Sequence, residues 1–285
     1  MFLFNKPKKR RKKNLVSNAP KVCKLDGKTF CKDGDKPLKP TIGYIGSKSK
    51  LSEKIIKYTP PHKKYIEVFA GSASLFLRKP LAQKNVLNDK DGDIMKIHKS
   101  FKSGKGFKSC VMYPSKRRFD KIKNKKNKSV CDIAYLNKLS FGNGMKHYSE
   151  DKASRKAKDL GISYQNVHIE DYKRKMKDVK ILNEDFRTVM KKADEPENFI
   201  YADPPYVIGG SSYKIHGVTP QEVCGSAKKL KRAKILISYD NRPEVRKSCS
   251  GLKQRTISHT YMLNNQKGHS GGKKVKELLI ANYPI

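Results

Sequence analysis

The sequence predicts an α/β protein in which short buried strands alternate with helices. Two observations lead to this fold class. Short apolar runs recur along the chain and end in turn residues, which is typical of strands buried on both faces of a parallel sheet. The segments between them carry apolar residues at helical spacing, and strands separated by helices are joined as right-handed βαβ units. The runs are "YIEVF" at 65–69, "NVLND" at 85–89, "NFIYAD" at 198–203, "KILISYD" at 234–240 and "VKELLIANYPI" at 275–285.

A tight turn and a helix follow the first strand. "YIEVF" leads into "AGSAS", where Gly71 allows a ligand to approach the backbone, and "LFL" at 75–77 then begins a helical pattern. The second strand, "NVLND", ends in Asp89. Ligands of open α/β sheets bind beyond the carboxyl ends of the strands. We therefore expect this turn and this acid to face a binding site.

Between 95 and 172 the alternation of strands and helices stops. This stretch contains "KRRFDKIKNKKNK" at 116–128 and "AYLNKLSFGNGMKHY" at 134–148, and its helical segments are polar and cationic. We interpret it as a mostly helical subdomain that meets a nucleic acid and is inserted into a catalytic domain formed by 41–94 and 173–285. A lysine-rich lobe that only solvates the surface is the alternative.

Basic residues far outnumber acidic residues in the sequence. The 285 residues include 65 Lys and Arg against 26 Asp and Glu, a formal net charge of +39. This charge suits a polyanionic partner, because neutralised phosphates release counterions; a solubilising surface is the alternative. Residues 1–40 form a basic extension whose "KPKKRRKK" resembles a nuclear localisation signal or an arm that contacts phosphates. A flexible tail with no receptor explains it equally well, and the turn signals at Asp26-Gly27 and Asp33-Gly34 predict a small hairpin at most.

The cysteines show no spacing of a metal site or of a redox motif. We expect them to be reduced thiols of an intracellular protein, and we predict no metal. "MFLF" is too short for a signal peptide, and no apolar stretch approaches membrane-spanning length. These features predict a soluble protein of the cytoplasm or nucleus, and the lysine-rich composition is consistent with a viral or phage origin. The cysteines are Cys23, Cys31, Cys110, Cys131, Cys224 and Cys249.

The turn after the first strand and the acids around it indicate a cofactor with a ribose and positive charge. Asp89 lies about where such folds place an acid on ribose hydroxyls, and Glu67 can face a cationic group. The turn does not match GxGxxG, and GxxxxGK[ST] is absent from the sequence, which disfavours dinucleotides and P-loop nucleotides. S-adenosyl-L-methionine remains, because it combines a ribose with an ammonium and a sulfonium. A turn acid in "NDKDGD" is the alternative for Asp89.

The segment "ADPPY" at the end of the third run suits chemistry on an exocyclic amine. Such an amine is a poor nucleophile until its lone pair is freed from the ring, and acceptors on its two N–H groups favour that geometry. The Asp203 carboxylate and the Pro204 carbonyl can accept these hydrogen bonds, while Pro204 and Pro205 fix the turn. Tyr206 can stack on a base that has left the duplex. A strand-terminating turn capped by Asp203 is the alternative.

These motifs together resemble the Dam-type family (D12 class, α group) of site-specific DNA adenine-N6 methyltransferases. The resemblance covers about 41–285 in order and implies an S-adenosylmethionine-dependent methyltransferase fold, a Rossmann-like mixed sheet with an inserted, mostly helical DNA-recognition subdomain. Its segments are "GYIGSKSKL" at 43–51, "YIEVFAGSASLFL" at 65–77, "NVLND", "YLNKLSFGNG" at 135–144, "ILNEDF" at 181–186, "ADPPYV", "ILISYDNRPEVRK" and "KVKELLIANYPI".

The resemblance also implies roles for individual residues. Those implied or expected to contact the cofactor are Tyr44, Lys48, Glu67, Gly71, Asp89, Asp185, Phe186 and Asp203. Those expected to contact DNA are Arg117, Arg118, Asn137, Phe141 and Asn143. Two departures from the family pattern stand out: Ala73 replaces a usual glycine, so the backbone there must tolerate a methyl group, and "FGNG" replaces "FNGL", which weakens the assignment of Phe141 and Asn143.

The sequence therefore predicts methyl transfer from S-adenosyl-L-methionine to adenine N6 in double-stranded DNA, with base flipping, by an enzyme that is a monomer or alternatively a dimer. Another amino-group methyltransferase, acting on cytosine N4, RNA adenine or protein glutamine, is the first alternative. A catalytically silent DNA-binding protein is the second. Restriction-modification protection, regulation and the marking of a viral genome all remain open as roles for the N6-methyladenine product.

Overall fold

A seven-stranded mixed sheet forms the centre of the molecule. The computed structural model describes residues 24–25, 28–29, 37–44, 46–107, 110, 113–156, 169–206, 217–261 and 273–285. The strand order is β5-β4-β3-β6-β7-β9-β8. The sheet strands are β3 (Lys64–Glu67), β4 (Lys84–Asn88), β5 (Val179–Leu182), β6 (Asn198–Ala202), β7 (Lys234–Asp240), β8 (Lys253–Tyr261) and β9 (Lys273–Ala281).

Five neighbouring strands of this sheet are parallel, as the alternating pattern predicts. Ile66 of β3 pairs with Val86 of β4 on one side and with Ile200 of β6 on the other. The last strand departs from this pattern, because β9 lies antiparallel between β7 and β8. The chain order reverses direction across the sheet between β3 and β6, which is where ligands of such sheets bind.

Helices cover both faces of the sheet. Successive residues of a strand point to opposite faces, and here both faces are apolar and need to be covered. Tyr65 and Phe199 belong to one apolar cluster, whereas their neighbours Ile66 and Ile200 belong to the other. The described helices are α1 (Ser52–Ile56), α2 (Ser74–Arg78), α3 (Gly92–Lys102), α4 (Lys116–Lys123), α5 (Val130–Leu139), α6 (Glu150–Lys156), α7 (Ile169–Met176), α8 (Phe186–Lys192), α9 (Pro220–Lys228) and α10 (Pro243–Ser248).

The stretch predicted as an insertion is helical where it is described. Ser115 caps α4, and Ser129 with Asp132 forms a capping box at the start of α5. Phe119 and Ile122 give the cationic α4 a buried apolar side, and α5 packs against α3. The polar composition therefore belongs to the outer surface of these helices. The division at 95 and 172 stays a prediction, because α3 and α7 cross those boundaries.

The prediction of reduced thiols is wrong for four of the six cysteines. Cys110 bonds to Cys131, and Cys224 bonds to Cys249. The partners are 21 and 25 residues apart, so the absence of short-range spacing did not reveal them. In the second pair the fold packs α9 against α10, which brings Cys224 close to Cys249. Cys23 and Cys31 lie outside the described residues.

Two short strands lie in the N-terminal extension. β1 (Lys24–Leu25) pairs antiparallel with β2 (Lys28–Thr29), in agreement with the predicted hairpin. The basic run at 6–13 lies outside the described residues. Among the helices of the described part of the chain, none is long and apolar enough to cross a bilayer.

Candidate active site at the carboxyl ends of the strands

A cavity of about 210 Å³ opens at the carboxyl ends of the parallel strands. Its walls bring together eight residues that are distant in sequence and that we predicted to contact the cofactor. These are Tyr44, Lys48, Glu67, Gly71, Asp89, Asp185, Phe186 and Asp203. Six of the eight lie at or just after the ends of β3, β4, β5 and β6, because these parallel strands all end at this edge. Their contact with a cofactor stays a prediction, but their convergence is a property of the fold.

The turn after β3 depends on residues with left-handed backbone. Gly71 has a φ of 46°, and a Cβ at this position would lie 2.8 Å from the ring of Tyr44. Only glycine fits such a close approach. Ala73 also has a positive φ of 53° and is fully buried. The methyl group that replaces the usual glycine is therefore accommodated in a conformation that costs roughly 1–2 kcal/mol.

Asp89 holds this turn from the end of β4. Its carboxylate accepts hydrogen bonds from the backbone N–H groups of Gly71 and Asp91, both at 2.8 Å. Burial raises the pKa of Asp89 to about 6, although these hydrogen bonds favour the charged form. The carboxylate is thus largely ionised near neutral pH. The carbonyl of Gly71 lies 2.8 Å from Nε2 of His98, which fixes the other side of the turn.

Glu67 is a buried acid at the end of β3. Its Oε2 accepts hydrogen bonds from the Tyr65 hydroxyl at 2.8 Å and from the backbone N–H of Phe76 at 3.2 Å. Burial nevertheless raises the pKa of Glu67 to about 8. The group is therefore mostly protonated at pH 7, and a cation placed beside it would favour its ionised form.

A cluster of four serines, which the sequence patterns did not predict, joins the "GSKS" loop to the "GSAS" turn. Ser47 Oγ lies 3.0 Å from that of Ser72 and 2.7 Å from that of Ser74. Ser49 lies 3.2 Å from Ser74. Both segments contain two serines at a spacing of two residues, which in hindsight is the only signal of this contact. The cluster holds the loop that carries Lys48 against the cofactor turn.

The far end of the cavity is formed by the start of α8. Asp185 caps this helix by accepting the backbone N–H of Arg187 at 3.0 Å, and its carboxylate also pairs with the Arg187 guanidinium at 2.9 Å. The ring of Phe186 packs 4.9 Å from that of Phe69, and Arg187 lies 4.6 Å above it. Arg187 also pairs with Glu222 of α9. An aromatic ring and a partly exposed carboxylate are thus available here for a planar polar group.

Asp203 follows β6 and lies at the centre of a buried polar network. Its Oδ1 accepts a hydrogen bond from Nζ of Lys48 at 2.5 Å and another from the Ser238 hydroxyl at 3.2 Å. The Lys48 side chain is 3% exposed and that of Asp203 18%. Burial raises the pKa of Asp203, and the charge of Lys48 opposes this shift. The ammonium therefore stabilises a carboxylate that still faces the cavity.

The remaining residues of "DPPY" border the same network. Pro204 is buried, whereas Pro205 lines the cavity. The Tyr206 ring stacks near Tyr239, with centroids 6.0 Å apart, and the Lys48 ammonium lies 4.5 Å from its centroid. The hydroxyl of Tyr206 donates to Glu277. Burial and the nearby carboxylates raise the pKa of Tyr206, so the phenol stays neutral.

The five predicted DNA contacts differ in exposure. Arg117 and Arg118 are exposed on α4, and the Arg118 guanidinium lies 4.5 Å from the ring of Tyr135. Phe141 is 78% exposed. These three side chains are accessible to a large ligand, as a contact with DNA requires.

Asn137 instead attaches the inserted helices to the catalytic domain, and Asn143 bonds to Asn137 and Lys152 within the inserted stretch. Asn137 is fully buried, and its amide donates to the carbonyls of Gly43 at 2.7 Å and Asn143 at 3.1 Å. The half-buried Asn143 accepts a hydrogen bond from Lys152 at 2.5 Å. In this structure Asn137 therefore faces the interior and positions the loop of Tyr44, a function that the sequence motif did not indicate.

Comparison with known proteins identifies the family. The family model of D12 class N6 adenine-specific DNA methyltransferases matches residues 44–263. The chain belongs to this family. It is thus an adenine-specific DNA methyltransferase, and S-adenosyl-L-methionine is its methyl donor. The match spans the cavity, "DPPY" and the helices between them.

One curated relative also matches this methyltransferase. The type II methyltransferase M.CviBI of Paramecium bursaria Chlorella virus NC1A is 24% identical over 184 residues, which cover 59% of this chain and 69% of the relative.

Solved structures show weaker similarity. A candidate RNA methyltransferase from Pyrococcus horikoshii aligns with a TM-score of 0.34 and 10% identity, covering 81% of this chain and 78% of that chain. A candidate methyltransferase from Streptococcus mutans in complex with SAH aligns with a TM-score of 0.31 and 13% identity, covering 77% and 88%.

Proposed function

We propose that this DNA methyltransferase acts on one adenine within a specific sequence of double-stranded DNA and takes that adenine out of the base stack before transfer. The observation that carries the proposal is the Asp203 carboxylate, which faces the cavity at the end of β6 while Lys48 and Ser238 fix one of its oxygens. An adenine inside a duplex cannot reach this recessed carboxylate, so the base has to leave the stack.

The cavity suits a positively charged cofactor. Its walls contain five carboxyl groups, those of Glu67, Asp89, Glu184, Asp185 and Asp203, and three basic groups, those of Lys48, Lys90 and Arg187. This acidic balance contrasts with the net charge of +39 for the whole chain. S-adenosyl-L-methionine supplies a methyl group on a sulfonium and carries an ammonium. We assign Glu67 to the ammonium side, Asp89 to the ribose hydroxyls, and Asp185 with Phe186 to the adenine.

Asp203 and Pro204 prepare the target amine in this proposal. The Asp203 carboxylate accepts one N6–H, and the Pro204 carbonyl accepts the other, so the nitrogen lone pair points toward the methyl carbon. The new N–C bond forms as the methyl–sulfur bond breaks, which leaves S-adenosylhomocysteine. The amine then gives up one proton, for which Asp203 is the nearest proposed acceptor. Acceptors that are already oriented need little rearrangement in the transition state.

The inserted helices are the proposed DNA surface. The exposed guanidinium groups of Arg117 and Arg118 lie on a helix whose other face is buried. Phe141 lies on the turn after α5, and Asn137 anchors this turn to Gly43. A cationic surface with the exposed aromatic side chains of Tyr113 and Phe141 suits both phosphates and an unstacked base step.

Two measurements test site specificity and base flipping. Sequencing of modified bases in DNA from cells that express the enzyme should give N6-methyladenine at a single short motif. A duplex with 2-aminopurine in place of the target adenine should then gain fluorescence when the enzyme binds, because the base has left the stack. Methylation without a common flanking sequence would exclude site specificity, and unchanged fluorescence on saturation would exclude flipping.

A further inference from the structure

We propose that Glu277 is a positioning residue for methyl transfer, which holds the Tyr206 hydroxyl and the Lys48 ammonium and thereby fixes the orientation of the Asp203 carboxylate. This inference rests on the proposed roles of Asp203 and Tyr206. Glu277 lies on β9, in the antiparallel part of the sheet. It belongs to the segment "KVKELLIANYPI", but no role was predicted for it and it does not line the cavity.

Glu277 contacts both the Tyr206 hydroxyl and the Lys48 ammonium. Its Oε1 accepts the hydrogen bond of the Tyr206 hydroxyl, 71 residues away in the chain, and lies 3.6 Å from Nζ of Lys48. The Glu277 residue is 3% exposed. A single buried oxygen thus contacts both the phenol that follows the two prolines and the ammonium that pairs with Asp203.

The sequence of β9 argues that this acid has a function beyond filling space. The next residues, Leu278, Leu279 and Ile280, are all fully buried, so an apolar side chain would suit the strand. Burial raises the pKa of Glu277, with Lys48 opposing the shift. A buried carboxyl group is unfavourable unless its partners compensate, and the two partners here belong to the catalytic network.

Contacts from different sides determine where the Lys48 ammonium lies. It donates to the carbonyl of Gly46 at 3.1 Å and to Asp203 at 2.5 Å, and Glu277 attracts it from another side. Lys48 and Ser238 both donate to Oδ1 of Asp203. A fixed ammonium therefore fixes Oδ1, and the other oxygen, Oδ2, is left in a defined direction for the target amine. Without the Glu277 charge, Lys48 would move toward Asp203 alone and compete for Oδ2.

Tyr206 is held by the same residue. Its ring centroid lies 6.0 Å from that of Tyr239 and 4.5 Å from the Lys48 ammonium, and its hydroxyl is bound to Glu277. Because the phenol is anchored at its tip, the ring cannot rotate freely about the turn formed by Pro204 and Pro205. Glu277 therefore sets both the acceptor and the stacking surface that the target adenine meets.

The test compares Glu277→Gln, Tyr206→Phe and the double variant with wild type in single-turnover methylation of duplex DNA. Glu277→Gln keeps an acceptor for the phenol but loses the charge beside Lys48. We expect its methyl-transfer rate to fall about 10- to 100-fold, the scale of one hydrogen bond to a charged group, with less than about threefold change in the dissociation constants of cofactor and DNA. The double variant should lose less than the sum of the two single losses, because both changes act through the same buried side chain.

Asp240→Asn is the matched control. Asp240 is the register partner of Glu277 on β7, but its carboxylate pairs with Arg242 at 2.7 Å. It should keep the wild-type rate. A Glu277→Gln enzyme with a normal single-turnover rate, or one slowed only through weaker binding of cofactor or DNA, would overturn the inference. A wild-type enzyme that leaves adenine unmethylated would instead overturn the proposed function, and the role of Glu277 with it.

Discussion

Lys48 and Asp203, 155 residues apart in the chain, form a buried ion pair in which Nζ lies 2.5 Å from Oδ1. The pair joins the loop before α1 to the end of β6, so two motifs that are far apart in the catalytic domain meet at one point. Burial removes most of the water around the Asp203 carboxylate, and the positive charge of Lys48 compensates for this loss. That balance is what an acceptor for a weakly nucleophilic amine requires.

The first prediction concerns the stability of this pair. Lys48→Met should lower the free energy of unfolding by about 3–5 kcal/mol, because Asp203 and Glu277 lose their buried counter-charge. Adding Asp203→Asn should restore part of the loss. Lys63→Met is the matched control, since its pair with Glu197 is about 40% exposed on both sides and should contribute less than about 1 kcal/mol. Urea unfolding measures all three, and equal losses for Lys48→Met and Lys63→Met would contradict the account.

Stability should also depend on pH through Glu67. Its pKa is about 8 in the fold against a usual value of 4.5, so the folded state binds an extra proton between these values. The resulting stabilisation is complete below about pH 4.5 and is lost as pH rises through 8.

Glu67→Gln tests this dependence, because the amide keeps an acceptor for Tyr65 and Phe76 but does not titrate. The variant should gain on the order of a few kcal/mol relative to wild type between about pH 5 and about pH 9. Glu53→Gln, at an acid whose side chain is 80% exposed, should follow the wild-type curve. Parallel curves for Glu67→Gln and wild type in urea titrations would rule out a raised pKa at Glu67.

DNA affinity should fall steeply with salt, and part of the slope should come from α4. Changing Arg117 and Arg118 to Ala together should reduce the slope of log affinity against log salt by about 1 for each phosphate that these side chains neutralise in the wild type. Lys191→Ala, on an exposed site of α8, should leave the slope unchanged. Fluorescence anisotropy over a range of salt concentrations measures both. If the double change leaves the slope unaltered, α4 is not part of the DNA-binding surface.

Asn137→Ala should affect stability and cofactor binding together. The change leaves the carbonyls of Gly43 and Asn143 without their amide donor, which should cost about 1–3 kcal/mol. Because Tyr44 follows Gly43 and lines the cavity, cofactor affinity should weaken as well. Asn282→Ala, which removes similar bonds to Ala233 and Ile235, should cost stability alone. Calorimetry that finds unchanged cofactor affinity in Asn137→Ala would show that the two sites are not linked.

Local patterns in the sequence predicted the elements that are continuous in the chain. The runs at 65–69 and 198–203 became central parallel strands, and the acids and the glycine placed at their ends converge on one cavity. This worked because a parallel strand is apolar throughout and its carboxyl end faces the ligand edge of the sheet.

Contacts between distant segments were not predictable in the same way. The fold pairs Cys110 with Cys131, brings Glu277 into contact with Tyr206, and turns Asn137 toward Gly43. In each case the two residues lie on different elements of the fold. No periodic pattern in one segment encodes which side chain of another segment it will meet. The antiparallel position of β9 illustrates this, since its final run "LLIA" at 278–281 is as apolar as a parallel strand.

The central claim is that Asp203 holds the amino group of adenine during methyl transfer. The most direct measurement is nucleoside analysis of duplex DNA after incubation with methyl-labelled S-adenosyl-L-methionine and either wild-type enzyme or Asp203→Ala. The account predicts labelled N6-methyladenine from the wild type and a yield reduced at least about 100-fold for the variant, while the variant still binds DNA. Label on cytosine, or an Asp203→Ala enzyme that methylates adenine at a rate close to wild type, would contradict it.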